Sequence, residues 1–352
     1  MSKWLNPRSA FGIALIAAAL IALPFVAAMG GQAWVRILNF AILYVFLALG
    51  LNIVVGFAGL LDLGYIAFYA VGAYTYALLA SPHFGLHWPF WVILPIGAAV
   101  ACFFGVLLGS PTLKLRGDYL AIVTLGFGEI VRIFLNNLNA PINVTNGPQG
   151  ITLIDTVAFG DFRFSGTSQV LGVSLSGPQK YYFLLVALAI FVIIINLRLQ
   201  NSRIGRAWMA IREDEIAAKA MGINTRNLKL LAFGMGATFG GVSGAMFASF
   251  QGFISPESFS LQESVIIVAM VVLGGIGHLP GVIVGALLLS ALPEVLRYIA
   301  TPLQQLTGGR LDASILRQLL VALAMIGIML SRPRGLWPSP EHGKAAPAPT
   351  AK

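Results

Sequence analysis

The sequence predicts an all-α integral membrane protein, a polytopic bundle of about ten transmembrane helices. Three observations carry this. Of 352 residues, 58% are hydrophobic and only 10% charged, against about 25% charged in a soluble domain. Apolar stretches close to the ~20 residues that cross a bilayer recur along the whole chain. Most of the 22 Lys and Arg fall in alternate connections between those stretches, the asymmetry that orients a membrane protein.

In order, the expected spans lie near 11–29, 37–56, 62–80, 89–109, 119–138, 181–199, 229–250, 262–275, 282–299 and 314–331. The first follows Lys3 and Arg8; its apolar run exceeds the ~7–15 residues of a signal-peptide core, so it reads as an uncleaved span. Lys3, Arg8, Lys114 and Arg116 are placed inside, as are Arg198, Arg203, Arg206, Arg212, Lys219, Arg226 and Lys229 around the loop 200–228. Arg332, Arg334, Lys344 and Lys352 follow them, which puts both termini in the cytoplasm. Segment 139–180 is rich in Gly, Ser, Thr and Asn and holds only Arg163 and Lys180. It is expected outside, with scope for a small β-hairpin and no separate domain. Five spans on either side of residue 180 permit an inverted five-plus-five repeat, since an odd count flips the second half. One membrane domain, 1–337, is expected, with a Pro- and Ala-rich tail at 338–352 whose composition is that of a disordered segment.

Several function classes are excluded. The net charge of +9 orients the chain in a lipid bilayer, and no basic run is interleaved with stacking aromatics, so nucleic acid is not an expected partner. A single cysteine, Cys102, allows no intrachain disulfide. His83, His87, His278 and His342 show no metal-ligand spacing. There is no phosphate-binding Gly-rich loop, and no regular Arg/Lys series of a voltage sensor. One enzymatic pattern stands out: Gly241-Val-Ser243-Gly244 matches the G-x-S-G of rhomboid-like intramembrane proteases, whose serine needs a nearby histidine base. Against it, Ala232, Gly236, Gly240, Gly244, Ala248 and Gly252 recur every fourth residue. Such a strip lets helix backbones approach closely in lipid, so packing is the favoured reading.

The loop 200–228 is the most informative segment. Ile204, Trp208 and Ile211 are spaced for one helical face. Asp214 can cap a following helix, Glu215 and Lys219 form an i,i+4 pair, and Gly222 suits a left-handed stop. Two short helical pieces are therefore expected at the inner face, with Ala217 and Ala218 small enough to allow close contact. Among the spans, Glu129 and Arg132 lie three apart with Asn136 on the same face, a pair that either locks packing or lines a pathway. Glu263 and Ser264 open another span and read as a solvated helix start or a second pathway candidate.

The Glu-x-Ala-Ala-x-x-x-Gly pattern of 215–222 resembles the loop by which importer permeases dock onto their ATPases. The resemblance then covers nearly the whole chain. Gly56-Phe-Ala-Gly-Leu-Leu-Asp-Leu-Gly64 with Tyr65 to Tyr74 resembles the signature of branched-chain amino-acid permeases. Leu115-Arg-Gly-Asp-Tyr-Leu through Arg132 is similar to their LivM-type subunit. Thr145-Asn-Gly-Pro-Gln-Gly150, Arg212-Glu213-Asp214-Glu215 through Ala218, Ser255-Pro-Glu-Ser-Phe259, Gly274-Gly-Ile-Gly277 and Arg332-Pro-Arg-Gly-Leu336 follow in family order. Asp62 falls where the family often has an uncharged residue, so no role is carried to it. The resemblance implies an importer in a bacterial inner membrane that moves Leu, Ile or Val. It implies a LivH-type permease paralogue, two cytoplasmic ATP-binding subunits and a periplasmic binding protein as partners. It further implies that Arg206, Arg212, Glu213, Asp214, Glu215, Ala217, Ala218 and Gly222 couple to the ATPases. No covalent chemistry and no cofactor are then expected in this subunit; ATP and Mg belong to the partners. Permeases for urea, short amides or other amino acids share these motifs, and an ion-coupled secondary carrier is the alternative from another class.

Overall fold

The computed structural model describes residues 7–112, 115, 117–160, 162–170, 173–306, 313–331 and 335–337. Lys3, Lys114, Arg116, Arg332, Arg334, Lys344, Lys352 and the tail 338–352 lie outside the described residues. A helix occupies each of the ten expected apolar stretches: α1 (Pro7–Met29), α2 (Gln32–Leu51), α3 (Ile66–Leu79), α4 (Phe90–Thr112), α5 (Asp118–Asn137), α6 (Gly177–Gln200), α9 (Thr225–Gln251), α10 (Leu261–Gly274), α11 (Leu279–Leu306) and α12 (Ala313–Ser331). Two short helices, α7 (Arg203–Glu213) and α8 (Glu215–Ala220), fill the basic loop. Among the described residues, six segments are long and apolar enough to cross a membrane: Gln32–Phe57, Phe90–Thr112, Gly177–Gln200, Thr225–Gln251, Pro256–Gly274 and Leu279–Leu296.

The inner helices are α2, α3 and α9: most of α3 is buried, and the most apolar stretches of α2 and α9 are 83% and 72% buried, against 22% for α6 and 33% for α4. The reason lies in α9's composition. Its every-fourth-residue small strip meets α2 and α3: Gly236 faces Gly50 and Val54, Gly240 faces Tyr65 and Phe68, and Gly244 faces the backbone of Tyr69 and Ala73. A second small face carries Gly241 against Gly97 and Ala101 of α4. Backbones packed this closely gain dispersion contacts and leave no room for branched side chains. Gly252, counted in the strip from sequence, instead ends α9 with a φ of 69°.

Two breaks depart from the expected spans. The second span runs into a π-helical turn at 52–57, and residues 58–65 are irregular, so the third helix begins at Ile66 rather than near 62. Asp62 is fully buried there; its Oδ1 accepts from Gly64 N at 2.9 Å and so holds the entry to α3. The second break lies between α10 and α11, where Gly275 and Gly277 adopt φ of 120° and 82°. Gly277 N donates to Asn52 Oδ1 at 2.9 Å, which ties the two breaks together. The amides of Leu336 and Trp337 donate to the carbonyls of Leu273 and Gly274 at 2.8 and 3.2 Å, capping α10 from the far end of the chain.

Segment 139–180 packs on one end of the bundle and carries two hairpins where one was expected. Strands β2 (Ala158–Phe159) and β3 (Phe162–Arg163) form one, β4 (Ser168–Val170) and β5 (Val173–Leu175) the other. A further pairing, β1 (Ile151–Thr152) with β6 (Phe253–Ile254), clips the segment to the end of α9. Tyr76 Oη donates to Asp155 O at 3.0 Å, so the segment is bonded to α3 as well.

Candidate functional site

The loop 200–228 is built from caps. Ser202 Oγ accepts from Gly205 N at 3.1 Å and starts α7. Asp214 ends α7 and begins α8, its Oδ1 accepting from the amides of Ile216 and Ala217 at 2.8 and 3.0 Å. Each such cap satisfies orphan donors and contributes about 1 kcal/mol. Gly222 stops the element at a φ of 85°, where a Cβ is strained.

Three contacts fix this element to the bundle. Trp208 is fully buried and donates from Nε1 to Leu228 O at 2.7 Å; Ile211 is buried beside it, while Ile204 is 36% exposed and stands off the seam. Arg212 Nη1 donates to Gly56 O at 2.5 Å, linking α7 to the π-helical turn of the second span. Lys229 Nζ lies 2.7 Å from Glu215 Oε1, with only 6% of the lysine side chain exposed. Glu215 thus pairs with Lys229 of α9 rather than with Lys219: a partner 14 residues away on a neighbouring helix wins over the one on its own. Ala218 is buried, contrary to the expected outward pair of alanines. The outward face is instead Ile216, 70% exposed, and Met221, 83% exposed, with Ala217, Lys219 and Ala220 between them. Arg206 bonds Asn201 O at 2.9 Å, and Glu213 is exposed.

The Glu129–Arg132 pair forms, with Arg132 Nε 3.0 Å from Glu129 Oε1, but it is not buried. The side chains are 35% and 25% exposed, and a third member that sequence reasoning missed, Glu257, lies 3.3 Å from Arg132 Nη1. Arg132 therefore staples α5 to the turn before α10. Asn136 does not join them; its Oδ1 is buried without a hydrogen-bond partner among the described residues. Because Glu257 remains, Glu129→Gln is expected to cost at most about 1 kcal/mol. The Glu129→Gln/Glu257→Gln double variant is expected to cost more than the two single changes together. Thermal unfolding in detergent checks this, and strict additivity would refute the shared staple.

Glu263 lies in the first turn of α10 and is partly exposed, as expected of a helix start, but it also faces a cavity. Tyr44 Oη donates to its Oε2 at 2.9 Å, and both line a part-open cavity of about 260 Å³ between α2, α3, α9, α10 and the turn that carries Ser258. The neighbouring Ser264 is fully buried and donates to Leu63 O at 2.5 Å, holding the irregular stretch before α3. Ser243 donates to Leu43 O at 3.2 Å, whereas His278 Nδ1 bonds Trp337 O at 2.9 Å. Serine and histidine are thus committed to separate backbone partners, which leaves the protease reading without its dyad.

The comparisons with known proteins bear on the whole chain. Residues 33–329 match the family described as branched-chain amino acid transport system / permease component. The chain belongs to this permease family. It is 43% identical over 93% of its length to the high-affinity branched-chain amino acid permease protein LivM of Escherichia coli K12, spanning 74% of that relative. It is 43% identical over 90% of its length to LivM of Salmonella typhimurium, spanning 72% of it. The E. coli LivH permease is 26% identical over 82% of the chain and 92% of its own length. No solved structure matches. As a family member with several apolar helices, the chain is a multi-pass membrane protein.

Proposed function

We propose that this chain is the LivM-type permease subunit of an ATP-driven importer of branched-chain amino acids in a bacterial inner membrane. The single observation that carries it is the 43% identity to E. coli LivM over 93% of the chain. A rigid, capped α7–α8 element set on the bundle at the expected docking loop supports the reading. A LivH-type paralogue completes the pore, two ATP-binding subunits engage the α7–α8 element, and a periplasmic binding protein delivers Leu, Ile or Val. This subunit binds no nucleotide; ATP and Mg act in the partners. Their motion changes the permease only through contacts that differ between its inward- and outward-facing states. The test is the reconstituted complex in vesicles: with binding protein present, leucine should raise ATP hydrolysis and enter the vesicles. Stimulation by urea or a short amide, and not by leucine, would overturn the substrate assignment.

In this reading the chain crosses the membrane about ten times with both termini inside, residues 139–180 are periplasmic and 200–228 cytoplasmic. Single cysteines at Thr167 and Asn201, both exposed, in a Cys102→Ser background report on it. An impermeant maleimide added to intact cells with a permeabilised outer membrane should label position 167 alone. Labelling of 201 but not 167 would invert the topology.

A further inference from the structure

Glu263 has no basic partner among the described residues. Among the described residues its one side-chain hydrogen bond comes from a phenol, Tyr44 Oη, and no Lys, Arg or His lines the cavity it faces. Arg132 is already engaged by Glu129 and Glu257. A carboxylate that faces a largely apolar cavity without a basic partner is a candidate site for a cation. Beside Ser258 the remaining walls are largely apolar, with Phe40, Leu47, Phe247 and Ile267 among them. Tyr69 lines it too, and its ring stands 5.3 Å from that of Phe247. The hydroxyl of Tyr69 makes no hydrogen bond among the described residues. At about 260 Å³ the cavity falls just below the ~300–1,000 Å³ of sites for drug-sized ligands, so it suits a small metabolite.

We propose that this cavity is a station on the transport path that binds a small apolar amino acid, its α-ammonium on Glu263 and its carboxylate on the Tyr69 hydroxyl. The proposal rests on the amino-acid-import reading above and deepens it. A zwitterion entering the bundle loses the hydration of both charged ends, and each must meet a partner. Glu263 Oε1, free of the Tyr44 bond, receives the ammonium, and aromatic faces add cation–π attraction. The aliphatic and aromatic walls take the branched side chain. Chemistry thereby selects for a free ammonium group inside the membrane, independently of the delivering protein.

The test uses the purified complex and photo-leucine, a diazirine analogue of leucine, with mapping of the labelled peptides. Labelling is expected on walls of the cavity, displaced by leucine and by leucinamide but not by isocaproate, which lacks the ammonium. Glu263→Gln keeps an acceptor for Tyr44 and removes the charge; it should reduce labelling at least tenfold while the complex purifies at normal yield. In Tyr69→Phe, leucine should lose its advantage over leucinamide as competitor. Leucine uptake by the wild-type complex runs in parallel. If wild-type vesicles import no leucine, the import reading fails whatever the labelling shows. If they import it and labelling falls elsewhere, resists Glu263→Gln, or yields equally to isocaproate, this proposal alone is overturned. Dependence of the site on sodium rather than on the ammonium group would overturn it too.

Discussion

Gly244→Leu is expected to cut the yield of folded permease about tenfold or more. A Cβ at this position would lie 2.7 Å from Ala73 N and also press on the Tyr69 carbonyl. Those are backbone atoms, which cannot swing aside, so α9 and α3 must separate. Overpacking a core costs about 1–3 kcal/mol when side chains can yield, and more when they cannot; each ~1.4 kcal/mol is a tenfold shift. Gly126→Leu on α5 is the control, because no neighbouring atom lies within 4 Å of a Cβ there. Monodisperse yield and melting temperature in detergent measure both. A Gly244→Leu protein that melts with the wild type would show that the contact opens freely.

Glu215→Lys is the second large effect, and it acts on transport rather than insertion. The change sets two ammonium groups against each other at a site where Lys229 is 6% exposed. Breaking a buried ion pair costs about 3–5 kcal/mol; Glu215, at 25% exposure, lies below that range. The spans are untouched, so membrane insertion should be normal. Leucine uptake should fall at least tenfold, with ATPase subunits recovered poorly or hydrolysing without uptake. The charge-swapped Glu215→Lys/Lys229→Glu protein should regain much of the activity. Wild-type uptake in the single variant would remove the pair from the coupling path, and failure of the swap would put the Glu215 carboxylate directly on the ATPase.

What sequence alone made legible follows the range of each interaction. The ten apolar stretches, the caps at Asp214 and Gly222 and the small strip of α9 all arise from residues within a turn or two of each other. Periodicity and capping rules see those. The pairs that decide the site are distant: Arg212 with Gly56, Glu215 with Lys229, Tyr44 with Glu263, Arg132 with Glu257. Nothing in local spacing marks them, so Lys229 counted only as a topogenic charge and Tyr44 as one more apolar residue. Glu263 was singled out for its position in a span, but its role depends on a cavity that four helices make together. The π-helical turn at 52–57 was unreadable for a similar reason, since its sequence, Asn-Ile-Val-Val-Gly-Phe, continues an ordinary hydrophobic run.

The cap on α10 bears on how the protein is made. A helix end leaves carbonyls that must find donors, and Leu273 and Gly274 are buried in the folded protein. For Leu273 and Gly274 the donors are Leu336 and Trp337, which leave the ribosome only after α11 and α12 have been synthesised. At synthesis rates of about 5–20 residues per second, the turn between α10 and α11 therefore waits several seconds before its backbone is satisfied. A chain truncated just before Gly335 would keep every described helix and lack both of these donors.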